Sequence, residues 1–204
     1  MGKKSQSQSN NLDLWNKVEK TDPDFTKEVT FGRKFTAIDP TYQMKNATAQ
    51  FGQYGEAWGL KDMTIEYIDI GTTSEKLATL QATFFTPEGE VATANAINVV
   101  SAKGKADADF MKKMITNTIS KELSRLGFNA DVFLGKFEDE RYVQAIKDEK
   151  LTEDLAQQAM KEMEKAKDLE GLQKYFIGLN PKIKNNEAVI AKKDLLKEKF
   201  ETVE

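Results

Sequence analysis

The sequence predicts an α+β fold: an antiparallel β-hairpin and meander packed on one long helix, followed by an all-helical C-terminal extension. Three observations carry this. Residues 58–70, 77–85 and 91–100 read as strands separated by turns that contain Gly or Pro. Residues 107–126 then repeat apolar side chains every three or four positions, which is the helical period. Beyond Thr152 the β-type alternation stops, and only helical periodicity with capping residues remains.

Residues 1–11, MGKKSQSQSNN, are polar and free of large apolar groups, so a disordered tail is expected there. Leu12, Leu14, Trp15 and Val18 make a short amphipathic segment, expected as a docked helix. Thr21–Asp24 with Pro23 signals a turn. Phe25–Ile38 is extended and broken at Gly32, which suits a β-hairpin. Asp39 followed by Pro40 marks a helix start, with Asp as N-cap and Pro in the first turn, and that helix should end at Gly52.

Within the second meander strand, Ala78, Leu80, Ala82 and Phe84 alternate with Thr79, Gln81 and Thr83, the half-buried pattern. Gly71–Glu75 and Pro87–Glu88–Gly89 are the expected turns on either side. The third strand sets Ala92, Ala94 and Ala96 on one face, a surface small enough for the long helix to approach. That helix turns Met111, Ile115, Ile119, Leu123 and Leu126 inward. Residues 137–150 are charged and read as a short exit helix. In the extension Thr152 caps a helix striped by Leu155, Ala159, Met163 and Ala166. Helices over Asp168–Leu179 and 187–200 follow, parted at Asn180–Pro181. Three regions result: a tail 1–11, an α+β core 12–150 and a helical extension 151–204.

Composition removes several function classes. The 204 residues contain neither cysteine nor histidine, so thiolate chemistry, disulfides and the commonest general base and metal ligand are all missing. No phosphate-binding loop, dinucleotide fingerprint or calcium loop occurs. The reading is therefore a non-enzyme with no catalytic residue, no metal and no cofactor. Net charge is −3, so a nucleic-acid role depends on where the cations sit and not on their sum. They cluster at Arg33–Lys34, Lys103–Lys105 and Lys112–Lys113. The run 138–142, EDERY, lacks the spacing for a metal site on one helical face. No apolar run approaches a membrane span or signal peptide, so a cytoplasmic protein without membrane contact is expected.

The outer face of the long helix carries Lys112, Lys113, Thr116, Asn117, Ser120, Lys121 and Ser124. Lysine supplies charge there, and hydroxyls and amides add hydrogen bonds without reading sequence, which suits a phosphate backbone. A solvated amphipathic helix explains the same pattern. Two constellations add weight to the first reading. One is Tyr42–Trp58, a helix ending in Phe51–Gly52 with a glycine turn and a tryptophan. The other is Thr116–Gly135, ending LGFNADVFLG.

In this order, with three strands between them, these motifs resemble the Rad-fifty-two superfamily of single-strand annealing proteins, which includes phage recombinases such as Sak. The matching residues are Ala47, Thr48, Phe51, Gly52, Gly55 and Trp58, then Lys112, Thr116, Asn117, Ser120, Lys121, Leu123, Leu126 and Gly127. The resemblance covers about residues 25–137. It implies ATP-independent binding of single-stranded DNA and annealing of complementary strands in recombination and repair, inside a bacterial host cell. It also implies a homo-oligomeric ring with a groove lined by the hairpin and the long helix. Lys121 and Arg33 take DNA-contact roles on this basis, with Lys34 beside Arg33. Ser120, Lys103, Lys105, Lys112 and Lys113 complete the expected interface.

The chain departs from the family pattern in places. Ser120 and Ser124 stand where eukaryotic members carry basic residues, Glu122 adds a negative charge beside them, and the loop before Thr36 is short. Trp58 could stack a base or fill the core; Phe51 and Phe133 read as core. The extension carries 10 basic and 11 acidic residues, so it is nearly neutral and expected to contact a neighbouring subunit or a single-strand DNA-binding protein of host or phage. Two alternatives stay open: a structural or scaffolding oligomer that binds no DNA, and an enzyme on this fold, which would need a lysine or carboxylate active site that the sequence does not locate.

Overall fold

The computed structural model describes residues 11–30, 32, 34–70, 75–101 and 103–201. The chain forms two compact units, residues 1–138 and 139–204. The first unit is the α+β layer that the sequence predicts. Helix α1 (Asp13–Val18) leads through a single turn at Pro23–Phe25 into β1 (Thr26–Val29), and β1 pairs antiparallel with β2 (Phe35–Ile38). Thr26 faces Ile38 and Val29 faces Phe35 across this hairpin. Two contacts fasten its base to the next helix: Phe25 stacks on Tyr42 with ring centroids 4.5 Å apart, and the Asp39 amide donates to the Phe25 carbonyl at 2.8 Å.

Helix α2 (Pro40–Phe51) starts as predicted. The Asp39 carboxylate accepts from the amides of Thr41 and Tyr42 at 2.7 and 3.2 Å, relieving two of the amides that a helix start leaves unpaired. It stops at Gly52, whose φ of +103° most residues avoid. The meander β3 (Gly59–Asp69), β4 (Lys76–Thr86) and β5 (Gly89–Val100) is antiparallel in the order β3–β4–β5. A bulge between Lys61 and Thr64 inserts one extra residue into β3. It explains why Leu60 and Ile65, five positions apart, both face the core beside Phe84 and Leu80.

Helix α3 (Phe110–Arg125) covers the face of the sheet formed by Ala78, Leu80, Ala82 and Phe84. Its buried stripe is Met114, Thr118, Ile119, Glu122 and Leu123, whereas Met111, expected inward, is exposed. The alanine face of β5 is a second correction. Ala92, Ala94 and Ala96 are exposed, and the helix meets Thr93, Asn95, Ile97 and Val99 instead. The cause is polar pairing: the Thr93 hydroxyl donates to Glu122 at 2.6 Å, and the Asn95 amide donates to the Thr118 hydroxyl at 3.0 Å. Glu122, read from the sequence as a charge on the outer face, is 2% exposed and belongs to this interior contact. Trp58 is fully buried and donates its indole N–H to the Gly52 carbonyl at 3.1 Å, so it is a core residue.

After α3 the chain turns at Gly127 and Asn129 into the short helix α4 (Ala130–Phe133) and a turn at Lys136–Glu138. Phe133, expected in the core, is 55% exposed. The second unit opens with α5 (Glu140–Met163), a single 24-residue helix capped by Asp139. The expected break near residue 150 is therefore not a boundary: Thr152 lies mid-helix, its hydroxyl donating to the Asp148 carbonyl at 2.8 Å. Helices α6 (Leu169–Ile177), α7 (Pro181–Lys184) and α8 (Glu187–Glu201) follow; α6 and α8 lie close to the predicted spans, and the short α7 between them is not among the expected elements. Ala156, Ala159, Met163, Leu172, Ile183, Val189 and Leu196 form this unit's own core, while Leu155 remains exposed. No helix among the described residues is long and apolar enough to cross a membrane.

Candidate nucleic-acid interface

Strand β2, helix α2 and the outer face of α3 enclose an open groove of about 700 Å³. This lies within the size range of small-ligand sites. One wall is Lys34 to Ile38, contributed by β2 and the residue before it. Pro40 and Gln43 come from the first turns of α2. The other wall is Thr116 and Asn117, with Ser120 about one helical turn further along α3. Val132, Phe133, Gly135 and Glu138 close the far end.

The groove is placed by core packing. Ala47, Phe51, Trp58, Ile119, Leu123 and Phe128 hold α2 against α3, with Phe51 and Phe128 ring centroids 5.5 Å apart. Their inward faces leave Thr116, Asn117 and Ser120 turned toward β2. Several of the residues matched to the family motif therefore serve the core: Ala47, Trp58 and Leu123 are buried, and Phe51 and Leu126 pack beside them. Gly127 has φ of +96°, and a Cβ on it would stand 2.7 Å from the Trp15 ring. Its role is to let α1 dock.

Of the expected DNA contacts, the structure brings Lys34 and Ser120 together in the groove. Lys34 is ion-paired with Glu28 across the hairpin at 2.8 Å. Lys121 is exposed but points roughly 100° around the helix from Ser120 and does not line the groove. Lys112 and Lys113 lie near the start of α3, and Lys113 is bonded to Asp107 at 2.6 Å. That hydrogen bond holds the Asp107 carboxyl below its ordinary value and lifts the Lys113 ammonium above its own. Lys103 and Lys105 are exposed on the connection from β5 to α3, away from the groove lining. Arg33 lies outside the described residues. The described groove thus contains one lysine and one carboxylate, Glu138, and its remaining lining is amide, hydroxyl and apolar.

Three lining residues escape sequence reasoning. Phe35 and Phe133 are 48% and 55% exposed, although aromatic rings at such positions usually read as core. Gln43 is 1% exposed, and its Nε2 has no hydrogen-bond partner. A signal for Gln43 does exist: it stands four residues before the buried Ala47 and beside Met44, so a polar residue interrupts an apolar stripe. Among the described residues no group of three or more carboxylates gathers as a metal site. No family model matches the chain, and no curated protein is significantly similar to it.

Proposed function

We propose that this protein binds single-stranded DNA and anneals complementary strands without ATP, as a homo-oligomeric ring acting in recombination. The observation that carries the reading is the groove itself, formed between the hairpin strand β2 and the Thr116–Asn117–Ser120 face of α3. These are the two elements that the family resemblance assigns to a DNA groove, and four exposed lysines, Lys103, Lys105, Lys112 and Lys121, lie in the same unit. The work is physical: cations hold the phosphate backbone extended, base edges test a complementary strand, and duplex formation supplies the driving force. Side-chain hydroxyls and amides add contacts to sugar and phosphate that are independent of sequence.

The test is annealing of two complementary dye-labelled oligonucleotides by purified protein without nucleotide. Wild type should accelerate annealing at low salt, and Lys34→Glu and Lys121→Glu should each lose acceleration while keeping the native assembly. A second reading, a scaffolding oligomer that binds no DNA, draws support from the nearly neutral groove, whose one described lysine, Lys34, is paired with Glu28, and from the separate pairing of Lys113 with Asp107. No acceleration by wild type at low salt decides for it.

A further inference from the structure

We infer that the groove between β2, α2 and α3 is a slot for one unstacked nucleobase of a bound single strand, rather than a cradle for its phosphates. The inference rests on the annealing reading and specifies what the groove does within it. Its lining fits a flat ring with hydrogen-bonding edges better than it fits an anion. Phe35 and Phe133 expose aromatic surface at the groove, and exposed rings are the usual stacking platforms for single-stranded nucleic acid. Asn117 and Gln43 present side-chain amides, whose paired donor and acceptor complement the edges of a base. Ser120 adds a hydroxyl able to donate or accept.

The strongest single sign is Gln43. It is 1% exposed, lines the groove, and leaves its Nε2 without a partner. Buried amides are nearly always hydrogen-bonded, and a donor left unpaired destabilises the empty protein. A base edge is a partner of the right chemistry, since it can accept from the unpaired Nε2. The charge balance points the same way. The groove's one described lysine is held by Glu28, and Glu138 at the far end repels phosphate. The exposed lysines outside the groove remain for the backbone. One base held per subunit would fix the strand in place while its neighbours stay open to pairing.

The experiment compares the affinity of the full chain for oligothymidylate with that for an abasic phosphate chain of equal length, at one salt concentration. The slot predicts that oligothymidylate binds about tenfold tighter or more. Phe133→Ala and Asn117→Ala should narrow that gap while abasic binding stays unchanged. Gln43→Met adds an internal control, because it removes the unpartnered amide and keeps an unbranched chain on the helix. It should narrow the gap yet unfold at the same or a higher temperature than wild type. Equal affinity for the two polymers, or a gap that all three variants leave intact, overturns the slot but leaves annealing standing. Binding of neither polymer at low salt overturns both.

Discussion

Thr21 and Asp131, 110 residues apart in sequence, are locked together by two hydrogen bonds to one buried carboxylate. The Thr21 amide donates to Asp131 Oδ2 at 2.8 Å and its hydroxyl donates to Oδ1 at 2.5 Å, with the Asn129 amide donating to the same hydroxyl at 2.9 Å. All three side chains are at most 1% exposed. This contact ties the segment after α1 to the turn after α3, and so sets the end wall of the groove.

Removing that carboxylate should loosen the first unit. Asp131→Ala leaves the amide of Thr21 buried and unpaired, and we expect a loss of about 3 kcal/mol. Both tryptophans, Trp15 and Trp58, lie in this unit, so urea unfolding followed by their fluorescence reads it directly. A coupling of about 1 kcal/mol or more between Thr21→Val and Asp131→Ala identifies the pair as the cause. Purely additive effects would argue against it.

Gly127→Ala should cost about 2 kcal/mol. The added Cβ meets the Trp15 ring at 2.7 Å, and alanine disfavours a φ of +96°. A red shift in tryptophan emission should accompany the loss, because α1 lifts away from its seat. An unchanged melting curve would show that Trp15 gives way freely.

Glu122 tests which way its charge faces. Its carboxylate accepts from Thr93 and pairs with Arg125 at 2.7 Å inside the contact between α3 and β5. Glu122→Ala should destabilise the fold by about 2–3 kcal/mol. Glu122→Gln should leave DNA affinity unchanged, since the charge removed does not lie on the groove. A clear gain in affinity would mean that the carboxylate repels bound DNA.

Lys113 should become available when Asp107 loses its charge. Asp107 has its carboxyl held below the ordinary value of 3.8, first through the Lys113 hydrogen bond. The pair's stabilisation is therefore present above that value and fades as pH falls through the lowered folded value. On the alkaline side it fades above the raised value of Lys113. Asp107→Asn should accordingly strengthen binding to single-stranded DNA at neutral pH. It should also steepen the salt dependence by on the order of 0.7 log units per log salt, the increment for one added phosphate contact. No change in slope would place Lys113 off the DNA path.

The DNA reading as a whole demands a salt response. Each phosphate contact to a single strand contributes a slope of about 0.7, so even three contacts give roughly a hundredfold loss over one decade of salt. Titrating a labelled oligonucleotide at several salt concentrations measures this. A flat response decides against phosphate contacts.

Much of the architecture is legible because local signals and tertiary demands agree. The start of α2 follows from Asp39–Pro40, its end from Gly52, and the pairing of β4 with its neighbours from a clean two-residue alternation. Errors arise where polar residues face inward. Thr93 and Asn95 look like solvent positions until Glu122 and Thr118 are opposite them, and this reverses the face assigned to β5. Thr152 looks like a cap because a mid-helix threonine can satisfy its hydroxyl on the preceding turn.

By itself the sequence determined the α+β class, the helical extension, the order of elements, and the exclusion of thiol and imidazole chemistry, because periodicity, caps and composition are local properties. Only the tertiary structure decided which of the expected contact residues share a surface. Lys34 and Ser120, 86 positions apart, line one groove because the core draws β2 toward α3, while Lys121 turns aside although it adjoins Ser120 in sequence. It also decided that Gln43 is buried at the groove with its Nε2 unpartnered and that Phe133 reaches solvent. A side chain's exposure and its partners depend on what the rest of the chain places around it, and no local pattern contains that information.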